Sequence, residues 1–370
     1  MTSILLLADI NSSHTQKWAI GLSNHGFKIG IFSFSAPETD WHTNYNIVCL
    51  NKPDPSKHYR NLYDKLGYVI LLPKLKKAIR EFKPDVLHAH YASSYGLLGA
   101  MSGFHPYIIS AWGTDVIKFP NKNFLTKQII KFNLRKADSV CATSHTLERY
   151  IQHIISKKVE VIPFGVDMEK FKQTNKIIVP NNTFTIGCVK SLEKIYNIDL
   201  AIVAFSKLKL KYPNRKLKLI IVGEGSERKK LEDLVFDLNL SNDVVFEGKL
   251  SHTEIANKIN ELDVFVNLSE YESFGVSVVE AMSCQKPVIV SEAEGLVEVV
   301  GDSKNGIVVN LQHIDEVVTA LEKYMLDESL RHVTGKNARE RVSEIYNWEN
   351  SMHQMIGVYD SLIKKRIFNI

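Results

Sequence analysis

Strand-length apolar runs alternate with helix-length amphipathic segments from one end of this chain to the other, and that alternation restricts the fold more than any other feature. A run such as Ile4 to Leu7, apolar at every position, is what a strand covered on both faces requires, and parallel strands need helix-length crossovers between them. The first series of expected strands is Ile4 to Leu7, Lys28 to Phe34, Val86 to Ala89, Tyr107 to Ala111 and Ser139 to Ala142. The stretch "VEVIPFGVDMEKFKQTNKIIVPNN" then reads as a strand followed by a polar, Pro-bearing linker. A second series follows, at Phe184 to Val189, Leu217 to Val222, Val244 to Glu247, Val264 to Asn267, Pro287 to Val290 and Gly306 to Val308. With 370 residues available, two α/β domains of Rossmann-like type are expected. We place them at 1–165 and 181–345, with a linker at 166–180 and a closing helical segment at 346–370. In that segment Trp348, Met352, Met355, Ile356, Tyr359 and Ile363 share a helical stripe, which predicts that it packs on another element. Folds of this class bind ligands at the carboxyl ends of their strands, so two facing domains imply a cleft.

Composition narrows the function classes. The apolar share of 45% and charged share of 24% are those of an ordinary globular protein. The formal charge of +5 is too small for the chain as a whole to point to nucleic acid, so only a local concentration of Lys and Arg carries meaning. Cys49, Cys141, Cys188 and Cys284 are far apart with no CxxC spacing, which predicts reduced thiols filling the core in a cytoplasmic setting. The opening "MTSILLLADINSSH" has a short apolar run and no basic flank, the pattern of a buried first strand rather than an export signal.

The chemistry concentrates in "SEYESFGVSVVEAMSCQKPVIVS", residues 269–291. A helix is expected to start between Phe274 and Val276, after a strand, and helix N-termini present unpaired N–H groups and a partial positive charge. Glycine at 275 lets a ligand approach the backbone closely. The amides of Phe274, Gly275 and Val276 would then face a diphosphate. Glu272 would lie beside the group attached to that diphosphate, and Glu280 would reach a ribose diol, where a carboxylate accepts two charge-assisted hydrogen bonds. The bland alternative makes Glu272 a helix cap and Glu280 surface decoration.

"SEYESFGVSVVEAMSCQKPVIVSEAEGLVEVV" resembles the signature of the family 4 retaining glycosyltransferases of the GT-B fold, in which two glutamates separated by seven residues bind the nucleotide sugar. "VIPFGVDMEKF" is similar to that family's interdomain segment, "KLIIVGEGSERKKLEDL" to its nucleotide-side loop, "DVVFEGKLSHTEI" to its base-binding turn and "DVLHAHYASSYG" to an element of its N-terminal domain. The resemblance implies a GT-B architecture, with an acceptor-binding first domain, a donor-binding second domain and a C-terminal helix crossing back to the first. It implies catalytic roles for Glu272, Lys190 and Lys194, the two lysines standing in "GCVKSLEKIYNID" where the family places a diphosphate-neutralising Arg and Lys. Lysine supplies the charge without the bidentate fork of arginine. Donor binding is carried over to Glu280, Phe274, Gly275, Val276, Gly223, Glu224, Phe246, Glu247 and Gly248; for the last five the bland reading is a plain strand-end turn.

Several positions depart from the family pattern. Trp112 in "SAWGTDV" stands where a His is usual, and Trp carries no proton, so the polar role falls to Asp115, His90 or His14. In place of a glycine-rich first loop the chain has "DINSSHTQKW", offering Ser13 and His14 to acceptor or phosphate. Phe164 replaces a usual Asn. The mechanism implied is retaining hexosyl transfer in which the leaving phosphate takes the acceptor proton, so that positioning and diphosphate stabilisation do most of the work. No Asp-x-Asp pair is present, so neither metal nor cofactor is expected; the donor is a substrate, with a UDP-sugar favoured. A nicotinamide dehydrogenase is excluded because "VGEGSER" has Arg228 where the third fingerprint glycine belongs.

The acceptor expected is a glycan or lipid-linked saccharide of capsule, lipopolysaccharide or exopolysaccharide synthesis, made on the inner face of the membrane. A non-catalytic nucleotide-sugar-binding protein is the second reading. Residues 117–137 carry six basic side chains and no acid, and Lys127, Lys131 and Arg135 repeat every fourth position. Phe124, Leu125, Ile129 and Phe132 flank them, so this is either a basic amphipathic helix for an anionic bilayer or an ordinary solvated face.

Overall fold

The computed structural model describes residues 1–51, 67–174 and 183–368. The chain divides into two compact units, Met1–Phe164 with Ser351–Ile370, and Gly165–Asn350. The proposed linker 166–180 lies partly outside the described residues.

In unit 1 a seven-stranded sheet is built from β1 Ser3–Leu7, β2 Lys28–Phe32, β3 Ile47–Cys49, β4 Val86–His90, β5 Tyr107–Ala111, β6 Ser139–Ala142 and β7 Val159–Val161, in the order β3-β2-β1-β4-β5-β6-β7. Every pairing is parallel. The expected strands are present, and β3, a short edge strand with only Ile47 buried, was not legible because it lacks an apolar run. Ile4, Leu5, Leu6 and Leu7 are fully buried, as the central strand of a covered sheet must be.

In unit 2 a six-stranded parallel sheet has the order β10-β9-β8-β11-β12-β13, from β8 Phe184–Val189, β9 Leu217–Val222, β10 Val244–Gly248, β11 Val264–Asn267, β12 Val288–Ser291 and β13 Ile307–Val309. The order reverses between β8 and β11, which is where an open α/β sheet makes room for a ligand at its strand ends. Its core runs from Phe184, Leu217 and Leu219 through Ile202 and Phe205 to Leu321 and Tyr324.

The closing helix, Trp348–Phe368, counts with unit 1 from Ser351 onward. The buried line on it is Met352, Met355, Tyr359 and Leu362, slightly rotated from the expected stripe because Leu362 rather than Ile363 turns inward. Tyr359 fixes it to the sheet: its hydroxyl bonds His88 Nδ1 at 2.7 Å, while His88 Nε2 reaches Ser110 Oγ at 2.8 Å. Three of the four cysteines are buried free thiols, and burial pushes those of Cys141, Cys188 and Cys284 up to about 12. No described helix is long and apolar enough to cross a membrane.

Burial pulls His88 from 6.5 down to about 3. The unfolded chain therefore takes up a proton below pH 6.5 that the folded chain refuses, so this residue costs stability as pH falls from 6.5 toward 3, by about 1.4 kcal/mol per unit. Urea unfolding at pH 7 and pH 5 should show His88→Asn losing less stability on acidification than the native protein; identical losses would mean that His88 is not held neutral.

Candidate active site

The donor-side residues gather at the carboxyl ends of β8, β9, β10 and β11 within unit 2. Lys190 follows β8, and its amide donates to the Val222 carbonyl at 3.0 Å. Gly223, just past β9, has φ +138°, and a Cβ there would run into the Lys190 carbonyl. Gly223 N donates to the Gly248 carbonyl at 2.8 Å, and Gly248 itself has φ +72°. A Cβ at Gly225 would likewise strike the Leu192 main chain, whose amide and carbonyl bond Glu224 O and Glu227 N at 3.0 and 2.9 Å. Glycine is required at 223 for both the conformation and the close approach. These contacts hold the loop after β8 against the loop after β9, and Glu193 adds bonds from Ser226 N and Oγ at 3.0 and 2.5 Å, which lower its pKa, the hydroxyl contact first.

Glu272 lies in the loop after β11 and forms an ion pair with Lys190, with side-chain exposures of 15% and 19%. The Lys190 ammonium also sits 4.5 Å from the centre of the Tyr196 ring. Backbone contacts fix that loop: Glu270 N donates to Ile195 O at 2.8 Å, Asn197 Nδ2 to Leu268 O at 3.0 Å, and Gly295 N to Glu272 O at 3.1 Å. A Cβ on Gly295 would approach Glu272 O to 2.6 Å. Glu272 is therefore not a helix cap.

The helix that follows is Val276–Ser283, starting at the late end of the expected range because Gly275, at φ +95° and ψ +58°, breaks the chain direction and caps it without a side-chain bond. Val278 and Val279 amides are satisfied by the Gly275 carbonyl, leaving those of Gly275, Val276 and Ser277 without hydrogen bonds among the described residues. The open amides of Gly275 and Val276 are among those expected, and Ser277 adds another. Phe274 is instead buried by its side chain, with its ring 5.4 Å from that of Tyr346. Ser277, whose buried Oγ has no partner among the described residues, was missed by sequence reasoning; its place in the first turn was the available signal. Glu280, the fifth helical residue, is only 5% exposed, with its carboxylate 3.7 Å from His252 Nδ1, so it is no surface decoration. His252 begins a helix capped by Ser251 and Glu254, and nothing in its local sequence marked it.

Around the expected base turn, Phe246 and Gly248 flank a register shift in β10. The Arg228 guanidinium lies 4.6 Å from the Phe246 ring and pairs with Glu224 at 3.0 Å, while Glu247 pairs with Lys258 at 2.9 Å and raises its pKa. Both acids are engaged, so the polar groups this turn offers are those of its backbone. Lys194 opens the short 3-10 helix Lys194–Tyr196, exposed and without an ion pair among the described residues.

The facing-domain candidates cluster within unit 1. His14, in the first turn of the helix Ser13–Asn24, stacks on Phe164 at 4.1 Å between ring centres, and Trp112 lies 5.4 Å from Phe164 and 4.8 Å from His90. Phe164, unexplained by sequence, is the platform for His14. His90 ends β4, is 3% exposed, and burial followed by the neighbouring His88 and His14 holds it neutral; its Nδ1 has no partner among the described residues. Ser13 is exposed at the helix start. Asp115 corrects an expectation. Fully buried, it accepts from the amides of Ala92 at 2.6 Å, Gly113 at 2.8 Å and Trp112 at 3.2 Å, so its carboxylate organises two loops and is withdrawn from the surface a substrate would reach. Burial raises its pKa and those amides oppose the rise.

Residues 169–341 match the glycosyl transferases group 1 family and residues 3–144 the glycosyl transferase 4-like family. The chain is a glycosyltransferase, with a group 1 domain in its second unit and a 4-like domain in its first. Among relatives of this group, N-acetyl-alpha-D-glucosaminyl L-malate synthase of Bacillus anthracis is 26% identical over 344 residues, spanning 85% of this chain and 87% of its own. Sulfoquinovosyl transferase SQD2 of Arabidopsis thaliana is 27% identical over 315 residues, spanning 77% of this chain and 58% of its own. Two solved structures share the fold. Sucrose-phosphate synthase from Thermosynechococcus elongatus superposes with a TM-score of 0.84 at 22% identity, covering 99% of this chain and 100% of its own. Anabaena HepE, in complex with UDP and glucose, superposes with 0.80 at 19%, covering 98% and 100%. The two Rossmann-like sheets are those of a GT-B glycosyltransferase, and the chemistry of the group is glycosyl transfer.

Gly223→Ala should lower stability by more than about 2 kcal/mol and abolish nucleotide binding, since the methyl group must displace Lys190. Native-like urea unfolding and binding in this variant would contradict the backbone packing described.

Proposed function

We propose that this glycosyltransferase takes a nucleotide-diphosphate sugar, with UDP as the favoured nucleotide, and transfers the hexosyl group with retention and without a metal ion to a hydroxyl of a glycan or lipid-linked saccharide. The observation that carries the donor side is the pairing of Lys190 with Glu272 beside the open amides of Gly275, Val276 and Ser277. An ammonium, three unpaired N–H groups and a helix N-terminus provide a site for a diphosphate. Lys194 adds a second, exposed charge, and Glu280 has the buried, acceptor-only character that suits a ribose diol. UDP and glucose bound by Anabaena HepE support the nucleotide reading by fold alone.

The reaction follows from this inventory. The acceptor oxygen forms its bond to the anomeric carbon as the bond from that carbon to the phosphate oxygen breaks on the same face, and the acceptor proton passes to the departing phosphate. Lys190, Lys194 and the helix amides stabilise charge that grows on the diphosphate, so their contribution is larger in the transition state than in the ground state. Glu272 leaves Lys190 for the diphosphate and turns to the sugar hydroxyls. Cell-envelope polysaccharide synthesis on the cytoplasmic side of the membrane is the setting proposed, supported by the positive charge of the acceptor unit described below.

A panel of UDP, GDP and ADP sugars with saccharide acceptors tests this. Glu272→Ala and Glu280→Ala should each reduce transfer at least about a hundredfold with unchanged unfolding curves. Transfer should persist in EDTA, and NMR of the product should show the anomeric configuration of the donor. Native rates in both variants would remove the two acids from the site. Loss in EDTA restored by magnesium would remove metal independence, and an inverted product would remove the retaining course.

A further inference from the structure

The two units carry opposite charge. Unit 1 contains 23 Lys and Arg against 12 Asp and Glu, a formal +11, whereas unit 2 contains the other 23 against 29, a formal −6. The overall +5 conceals this. On unit 1 the helix Phe124–Lys136 concentrates the cations and, unusually, also exposes large apolar side chains: Phe124 is 77% exposed, Leu125 56% and Phe132 40%.

That exposure is built in. Asn123 and Thr126 form a capping box, with Thr126 N donating to Asn123 Oδ1 at 2.9 Å and Asn123 N to Thr126 Oγ1 at 3.2 Å. Thr126, Ile130, Asn133 and Leu134 are buried, and Asn133 Nδ2 donates to the carbonyls of Ala92 and Ser93 at 2.9 and 3.1 Å. With one face pinned in this way, the helix cannot roll to hide Phe124, Leu125 and Phe132. At 100° per residue these three fall on the side opposite the buried four; Lys127 and Lys131 border them on one flank, Lys136 on the other, and Arg135 stands between Phe124 and Phe132. Lys122, Lys127, Lys131 and Arg135 have no carboxylate partner among the described residues.

We propose that this helix is a docking surface for an anionic lipid bilayer, with Phe124, Leu125 and Phe132 entering the acyl boundary and the flanking cations contacting lipid phosphates. Charge complementarity selects an anionic partner, and the apolar side chains select a lipid among anionic partners. A soluble polyanion gains nothing from Phe and Leu, whereas an interfacial helix needs both components. The inference concerns the acceptor unit and is tested without donor or acceptor, so its failure leaves the glycosyl-transfer reading intact.

Co-sedimentation of the full chain with phosphatidylglycerol and with phosphatidylcholine vesicles, at low and high salt, decides it. Binding should require phosphatidylglycerol and weaken with salt. The charge variant Lys127→Glu/Lys131→Glu/Arg135→Glu and the apolar variant Phe124→Ser/Leu125→Ser/Phe132→Ser should each reduce vesicle binding about tenfold or more. All six side chains lie off the buried face, so circular dichroism and urea unfolding should remain native. Native vesicle binding by either variant would overturn the proposal. Loss in the charge variant alone, with equal retention of both native and apolar variant on heparin, would replace it with a soluble-polyanion surface.

Discussion

The donor side of this molecule depends on one backbone crossing, the passage of Gly223 against the carbonyl of Lys190. Because no side chain fits between them, the loops after β8 and β9 are held as a pair, and the Gly223 amide extends the arrangement to Gly248 at the end of β10. The Lys190 ammonium then has a defined origin, from which it meets Glu272 over the Tyr196 ring. A flexible side chain has been given a fixed starting point by backbone packing at its own residue. Catalysis that relies on stabilising a departing diphosphate rather than on a strong base needs that kind of preorganisation.

Glu272 and Glu280 show how two carboxylates near one helix start can be given different surroundings. Glu272 stands before the glycine cap, paired with a cation and partly open; Glu280 is inside the first turns, almost wholly buried, with the half-exposed His252 as neighbour. The three free amides between them lie where a positive end of the helix dipole and the Lys190 charge add.

The parallel sheets were legible because buried strands read as continuous apolar runs, and helix-length amphipathic segments between them allow few other folds. Lys190, Glu272, Glu280 and Gly275 were legible because a charged residue at a strand end or a glycine before an apolar helix has few structural reasons to be there. What escaped the sequence is what arises only from tertiary approach. His252 and Tyr196 reach the site from their own helices, Ser277 gains its meaning from the helix start that Gly275 sets, and Asp115 looked like a free acid until three amides were found around it. The opposed charges of the two units were hidden for a different reason: an average over the chain cancels them.

The central claim is that the diphosphate and Glu272 compete for Lys190. Titration calorimetry with UDP, GDP and ADP, none of which carries a sugar for Glu272 to bind, separates the two. Whichever nucleotide binds best should bind Glu272→Gln several-fold more tightly than the native protein, because the substitution frees Lys190 and removes a like charge beside the phosphates. Weaker binding by Glu272→Gln would show that Glu272 supports the diphosphate rather than contesting it, and would contradict the account.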